Sequence, residues 1–520
     1  MNAVTAIKDR PGVLVAACLA AVLLPTSITG AGVALPAIAE DLPGGIGPLQ
    51  WVVHAYDLTF ASFMLAMGCL SDIFGRRRVF VSGALVYAAC ALLASLSQSL
   101  VLLDLVRAVT GIAAAAVMTS AAASLAQTYS GAAGARAFGL FGTSFGIGLA
   151  FGPLLAGGLT SAFGWRWFFG TQVVIALAAV LCARSMPVAP ADDRPSVDWA
   201  GTTTFVVALF AFILALVEGP QLGWTHPAVL GMYAVTVLGI VAFGVVESRQ
   251  ERPMFDLALL RQRAYLAVCA APVALAFGFV TLLVFLPTYF MTVYGMSAWT
   301  AGLSMLALTV GTLVMPAVAG ALVARGASAR ALLVLCMVLV GGGCLWLTVM
   351  TPESSLLEIA LPMLTIGIGF GISNGILDAA AATSVPPARA GMAVGMFNTT
   401  RIAGEVVAIA VVGSMIVGFL RSTLPTTVPG WDGTSGELAN RIAEGGLAAT
   451  AESVPAPDAA ELVATSLGAY TTAMHLVLVV LGVVCLAMAP AMAILLRRPA
   501  TPGAASDEPA EELQPDGARA

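Results

Sequence analysis

Residues 68–80, GCLSDIFGRRRVF, place Asp72 and the Arg76–Arg78 triplet between two apolar runs, at about 51–71 and 79–98. Each run is long enough to cross a hydrocarbon core of about 30 Å as a helix, at roughly 1.5 Å of rise per residue. A charged stretch this short between two such runs reads as a turn at a membrane surface, with its arginines on the cytoplasmic side. Gly68 and Gly75 permit close helix approach and a tight turn. Asp72, at a helix end, can accept hydrogen bonds from a neighbouring Arg and from helix N-termini, and so latch one arrangement of helices. A positive-inside anchor alone explains the arginines but not Asp72 or the glycine spacing.

The rest of the chain has the same character. Of 520 residues, 59% are hydrophobic and 10% charged, and the mean hydropathy is +0.96, whereas a soluble domain carries about 25% charged residues. Apolar segments of spanning length recur at about 12–38, 51–71, 79–98, 101–126, 137–160, 167–183, 198–217, 227–246, 264–291, 300–323, 330–350, 357–380, 391–419 and 471–496. The expected fold class is therefore all-α integral membrane with 14 transmembrane helices. With the N-terminus inside, 18 of the 23 Lys and Arg fall in inner loops and tails, against Arg166, Arg421 and Arg441 outside. Both termini are expected in the cytoplasm and the protein in the cell membrane. The run after Lys8 and Arg10 continues past a signal-peptide length and is read as an uncleaved first span. The eight cysteines lie inside apolar stretches, so no disulfide framework is implied. No metal-binding spacing, phosphate-binding loop or nucleophile–base arrangement occurs. The chain is read as no enzyme, with no cofactor, no metal and no nucleic-acid partner.

Polar stretches divide the chain. Residues 1–197 form an N-terminal six-helix bundle with a Pro-rich inner linker, 198–246 two inserted spans, and 247–420 the first five spans of a C-terminal bundle. An extracytoplasmic loop follows at 421–470, the last span at 471–497, and a disordered cytoplasmic tail at 498–520. In the loop, Thr434 with Glu437 and Asp458 with Glu461 look like starts of short helices. GALVARGASAR (320–330) is a degenerate echo of the 68–78 loop, as expected of two related halves.

Here the residues reach a family. GCLSDIFGRRR resembles the loop signature of the major facilitator superfamily, matching at Gly68, Leu70, Asp72, Gly75, Arg76 and Arg77. LLDLVRAVTG on the fourth span is similar to a second signature, at Leu103, Arg107 and Gly111. GIGLAFGPLLAGG resembles the antiporter signature of exporters, at Gly148, Gly152, Pro153 and Gly157. FGWRWFF (163–169) and FNTTRIAGEVVAIAVVG (397–413) resemble segments of the fourteen-span drug:proton antiporters. The resemblance implies a major-facilitator fold of two six-helix bundles with two extra spans between them. It also implies that Arg107 sits near the proton and substrate site. The small residues of the fifth span are expected to pack against a partner helix in the other bundle. One position departs: Ser27 stands where the first span of such antiporters has an Asp implied in coupling.

Four acids lie inside the apolar runs, where an ionisable group is costly unless paired, protonated or wetted. Asp104, three residues before Arg107, reads as a local pair. Asp378 falls near an inner helix end, with gating and binding both open. Glu405 shares a helix face with Arg401, either as a self-satisfied pair or as a carboxylate that meets cargo. Asp57 has no basic residue within a turn on its own helix. Three readings of it stay open: a proton-coupling residue beside Arg107, a structural pair with Arg107, or a hydrogen-bond partner of His54 and Tyr56. The expected function is proton-coupled export of small amphipathic organic compounds such as drugs, antibiotics or dyes, by a monomer in the lipid membrane. An importer of a metabolite, or a non-transporting sensor or lipid-modifying enzyme, are the rival readings.

Overall fold

The computed structural model describes residues 11–42, 46–187, 198–249, 259, 261–425, 428, 431, 433–443, 445–452 and 454–496. Lys8, Arg10, most of the linker (188–197), residues 250–258 and the tail from 497 lie outside the described residues. Every regular element among those described is helical. This is the form in which an apolar segment satisfies its own backbone groups. Among the described residues, fourteen helices are long and apolar enough to cross a membrane: α1 Pro11–Asp41, α2 Leu49–Phe74, α3 Arg76–Ser95, α4 Leu100–Thr128, α5 Gly131–Phe163, α6 Trp165–Ser185, α7 Trp199–Gly219, α8 Pro227–Arg249, α9 Arg263–Val293, α10 Thr300–Ala324, α11 Ala329–Val349, α12 Leu356–Thr383, α13 Ala390–Thr423 and α14 Asp458–Leu495.

The last span departs most from expectation. Its helix runs unbroken from Ala456 to Leu495, so residues 456–470, read as loop from their polarity, are its first turns. Asp458 and Glu461 belong to that helix and open no separate one. Thr434 and Glu437 do cap a short helix, Ser435–Ala443. The Thr434 amide donates to Glu437 Oε2 at 3.0 Å, and the Glu437 amide donates to Thr434 Oγ1 at 3.3 Å.

Helices α1–α6 close around one apolar core and α9–α14 around another. The inserted helices α7 and α8 pack on each other, with α7 against α2 and α13. The bundles meet along two seams, α2 with α13 and α5 with α10. Both seams are tight at the membrane end that carries Gly75, hereafter the latch end. A Cβ on Gly391 would stand 2.5 Å from the Gly68 carbonyl oxygen, and one on Gly395 would stand 2.8 Å from that of Met64. In the other seam, a Cβ on Gly320 would stand 2.6 Å from the Ala135 carbonyl, and one on Gly139 would stand 2.8 Å from that of Pro316. Only glycine permits such backbone contact. Gly375, at φ 80°, breaks α12 where its bare Cα faces the Phe138 carbonyl of α5.

Toward the far end, α5 and α10 part around a cavity of about 720 Å³. Its walls include Thr29 and Val33 of α1, Ala150, Pro153 and Gly157 of α5, Leu283 of α9, and Gly302, Leu306 and Thr309 of α10. The antiporter-like segment corrects one expectation. Gly148 and Gly152 press on Val22, Thr26 and Thr29 of α1, within their own bundle. The residues of α5 that meet the other bundle come earlier: Gly139, Gly142 and Gly146, against α10 and α12. Spacing shows that α5 has a smooth face but not which neighbour lies on it.

Candidate functional site

At the latch end, Gly75 adopts φ 94° and turns the chain from α2 into α3 without an intervening loop. This sets Asp72 and Arg76 one turn apart, with Arg76 Nη2 at 3.0 Å from Asp72 Oδ1. The Asp72 carboxylate reaches across the seam. Oδ1 accepts from the Gly391 amide at 3.0 Å and Oδ2 from the Met392 amide at 2.8 Å, the free donors in the first turn of α13. Arg76 also crosses to the Pro387 carbonyl, and it donates to the Ala123 carbonyl at 2.9 Å and to Gln127 Oε1 at 3.1 Å. Arg77 follows Arg76, but its side chain makes no hydrogen bond or ion pair among the described residues. Pro387, Gln127 and the α13 amides had no signal in the sequence, because nothing marks which distant helix end will face Asp72.

Deeper in the N-terminal bundle, Arg107 of α4 is 1% exposed. Its Nε donates to the Val52 carbonyl at 2.8 Å, and its Nη1 donates to Ser27 Oγ at 2.7 Å. Its guanidinium lies 4.3 Å from the Tyr56 ring centroid. Neither ion pair weighed for Arg107, with Asp104 or with Asp57, forms. Arg107 turns its donors toward α1 and α2, leaving Asp104 Oδ1 buried without a hydrogen-bond partner. Asp57 makes no ion pair with it, and Tyr56 Oη, also buried without a partner, does not bond Asp57. Asp57 is half-buried and stands within electrostatic reach of Arg107 and of Glu405.

Glu405 belongs to α13. Its Oε1 is 4.0 Å from Arg401 Nε, and Arg401 Nη1 is 3.9 Å from Asp378 Oδ2. Arg401 thus joins α12 and α13, and it lies 5.1 Å over the ring of Phe145 of α5 in the other bundle. Phe145, and the buried Asn398 one turn below Arg401, were missed because aromatic and amide residues carry no distinctive spacing. Asp57, Met64 and Gly68 share one face of α2 by helical periodicity, as Gly391, Gly395, Asn398, Ile402 and Glu405 share one face of α13. These are the faces that meet in the seam. One helix pair therefore carries the Asp72 contacts at one end and two carboxylates from opposite bundles deeper in. Among the described residues no group of His, Cys, Asp and Glu is arranged to hold a metal.

Comparison with known proteins agrees with this architecture. The multidrug resistance protein Stp of Mycobacterium tuberculosis is 30% identical over 395 residues, covering 75% of this chain and 73% of that protein. The probable actinorhodin transporter of Streptomyces coelicolor is 31% identical over 418 residues, covering 78% and 71%. The tetracenomycin C resistance and export protein of Streptomyces glaucescens is 27% identical over 502 residues, covering 95% and 93%. Among solved structures, the human organic anion transporter MFSD10 (TETRAN) shares the fold at a TM-score of 0.56 and 16% identity, over 92% of this chain and 100% of that one. The family model described as Major Facilitator Superfamily matches residues 17–409, and the chain belongs to that superfamily.

Proposed function

We propose that this protein exports small amphipathic organic compounds across the cell membrane in exchange for protons, working as a monomer with both termini in the cytoplasm. Relatives named as multidrug or antibiotic exporters support the cargo class and the direction. The Lys and Arg bias of the loops supports the orientation, with the latch end cytoplasmic. Tight seams at the latch end and a parted seam at the far end support an outward-facing state of an alternating-access cycle. The mostly apolar cavity walls suit amphipathic cargo better than sugars or phosphates.

The single observation that carries the coupling reading is Asp57, a carboxylate in a spanning helix with no ion pair among the described residues, on the face of α2 that meets the Glu405 face of α13. Two like charges sharing a poorly hydrated space favour holding a proton or a cation between them. When the bundles separate or close, that balance changes, which is what a proton carrier requires. Asp57 is the principal coupling residue, with Arg107, Glu405 and Asp378 setting its surroundings. One proton moving across 100 mV releases about 2.3 kcal/mol, enough to sustain a gradient of an uncharged cargo of roughly fortyfold.

The test uses everted vesicles with an acidic interior, to which candidate cationic dyes and antibiotics are added while a ΔpH probe follows proton release. Cargo-dependent release by wild type, lost in Asp57→Asn with cargo binding retained, is the expected result. Undiminished exchange by Asp57→Asn at matched expression would make Asp57 structural and move the coupling role to Glu405 or Asp378.

A further inference from the structure

On the lipid-facing side of the N-terminal bundle, away from both seams, α2, α3 and α4 enclose a groove of about 400 Å³. It starts at the latch end, between Phe74 and Arg78, and climbs past Met67 and Ser82 to Val86 and Ile112. From Arg78 to Val86 this is about 12 Å of helix rise, the depth of one leaflet's acyl region. Its walls are apolar, and Phe74 and Val86 are 43% and 44% exposed. The arginine triplet supplies the second observation. Three cations in the first turn of α3 oppose the helix dipole. Arg76 is neutralised by Asp72, but the Arg78 guanidinium makes no hydrogen bond or ion pair among the described residues. An exposed guanidinium without a counter-ion thus stands at the surface end of an apolar groove that runs into the membrane.

We propose that this groove binds one anionic glycerophospholipid, its phosphate on Arg78 and an acyl chain along Met67, Phe74, Val86 and Ile112. The match is one of charge and depth together. A phosphate at headgroup level meets a cation that no described residue neutralises, and the chain below it fills an apolar slot between three helices. A zwitterionic lipid would fill the slot equally but bring its own cation against Arg78. The site lies outside the cargo path and is independent of which cargo or coupling acid operates.

The test is native mass spectrometry of the full-length protein in detergent, titrated with phosphatidylglycerol or with phosphatidylcholine of the same acyl chains. Wild type is expected to retain its first phosphatidylglycerol about fivefold more strongly than phosphatidylcholine, the preference one basic residue near a membrane surface provides. Arg78→Gln erases that preference, whereas Arg77→Gln, one residue away and outside the groove, keeps it. Val86→Trp, which narrows the slot from an exposed position, weakens both lipids. Equal retention of the two lipids by wild type would overturn the proposal. So would equal losses in Arg77→Gln and Arg78→Gln, which would reduce the effect to diffuse attraction. Unchanged binding in Val86→Trp would remove the groove from the site.

Discussion

Ser27 alters the electrostatic problem that Arg107 poses. A buried guanidinium beside an Asp would have its counter-ion in contact; here Ser27 offers a neutral hydroxyl at 2.7 Å. The compensating negative charge must then come from carboxylates at longer range, and Asp57 is one that the seam leaves half-buried. This makes a rescue experiment informative. Ser27→Asp in an Asp57→Asn background is expected to restore part of the cargo-driven proton release that Asp57→Asn loses, because the new carboxylate lands on Arg107 Nη1. No recovery, with the double variant folded and binding cargo, would separate Arg107 from coupling. A second prediction concerns Asp72. Asp72→Asn removes the charge from contacts to the Gly391 and Met392 amides and to Arg76. Charge-assisted bonds are each worth about 1.5–3 kcal/mol, so losing about 2 kcal/mol shifts the state equilibrium roughly thirtyfold. Spin labels at the exposed positions 184 and 325, one per bundle at the latch end, are expected to move apart in Asp72→Asn and to keep a single short distance in wild type. At this scale the sequence revealed the acids, since a charge in an apolar run is conspicuous. It did not reveal their partners, because the decisive contacts join residues 80 apart for Arg107 and Ser27 and 319 apart for Asp72 and Gly391.

Helix α5 shows what an element adds to its residues. One of its faces is fixed against α1, where Gly148 lies on the Val22 carbonyl. Another runs along α10, packed at Gly139 and Gly146 but bare at Gly158. Identical chemistry therefore has opposite consequences along one helix. Gly148→Leu forces a side chain into the α1 backbone and is expected to lower stability by about 3 kcal/mol or more, or to abolish expression. Gly158→Leu, with nothing within 4 Å of its Cβ position, is expected to leave stability unchanged within about 0.5 kcal/mol. Thermal unfolding of the two purified variants, followed by tryptophan fluorescence, separates them; equal loss in both would mean that α5 packs differently from the arrangement described. The spans themselves were legible because burying a backbone in lipid requires long apolar helices, and that leaves a composition signal. The amphipathic start of α14 was not, since residues 456–470 have the polarity of a loop and become helical by extending a helix already formed. Nor was the neighbour of the glycine face, because small residues serve equally inside a bundle and between bundles.

The two seams are built on matching glycine contacts. Gly68 of α2 lies against Gly391 and Gly395 of α13, and its echo Gly320 of α10 lies against Ala135 and Gly139 of α5. Both tight contacts are at the latch end, so the bundles can only separate there by closing at the far end, if each moves as a unit. The seam register says where they would close. Gly139 opposes Gly320 and Gly146 opposes Thr312; carried outward by whole turns, the same antiparallel register sets Ala150 opposite Thr309, Pro153 opposite Leu306, and Gly157 opposite Gly302. All six of these far-end residues now line the cavity between α5 and α10. A Gly157→Cys/Gly302→Cys pair is therefore expected to be unbridged in the state described here and to form a disulfide when the far end closes, since that bond requires Cα atoms within about 7 Å. No native cysteine lines the cavity to compete. Adding Asp72→Asn releases the latch at the opposite end of the molecule and is expected to speed bridging, in the direction set by its thirtyfold shift. Gel mobility after timed oxidation reads both. Bridging that ignores Asp72→Asn would mean the two ends open and close independently, and a rigid-body exchange between the two states would have to be given up.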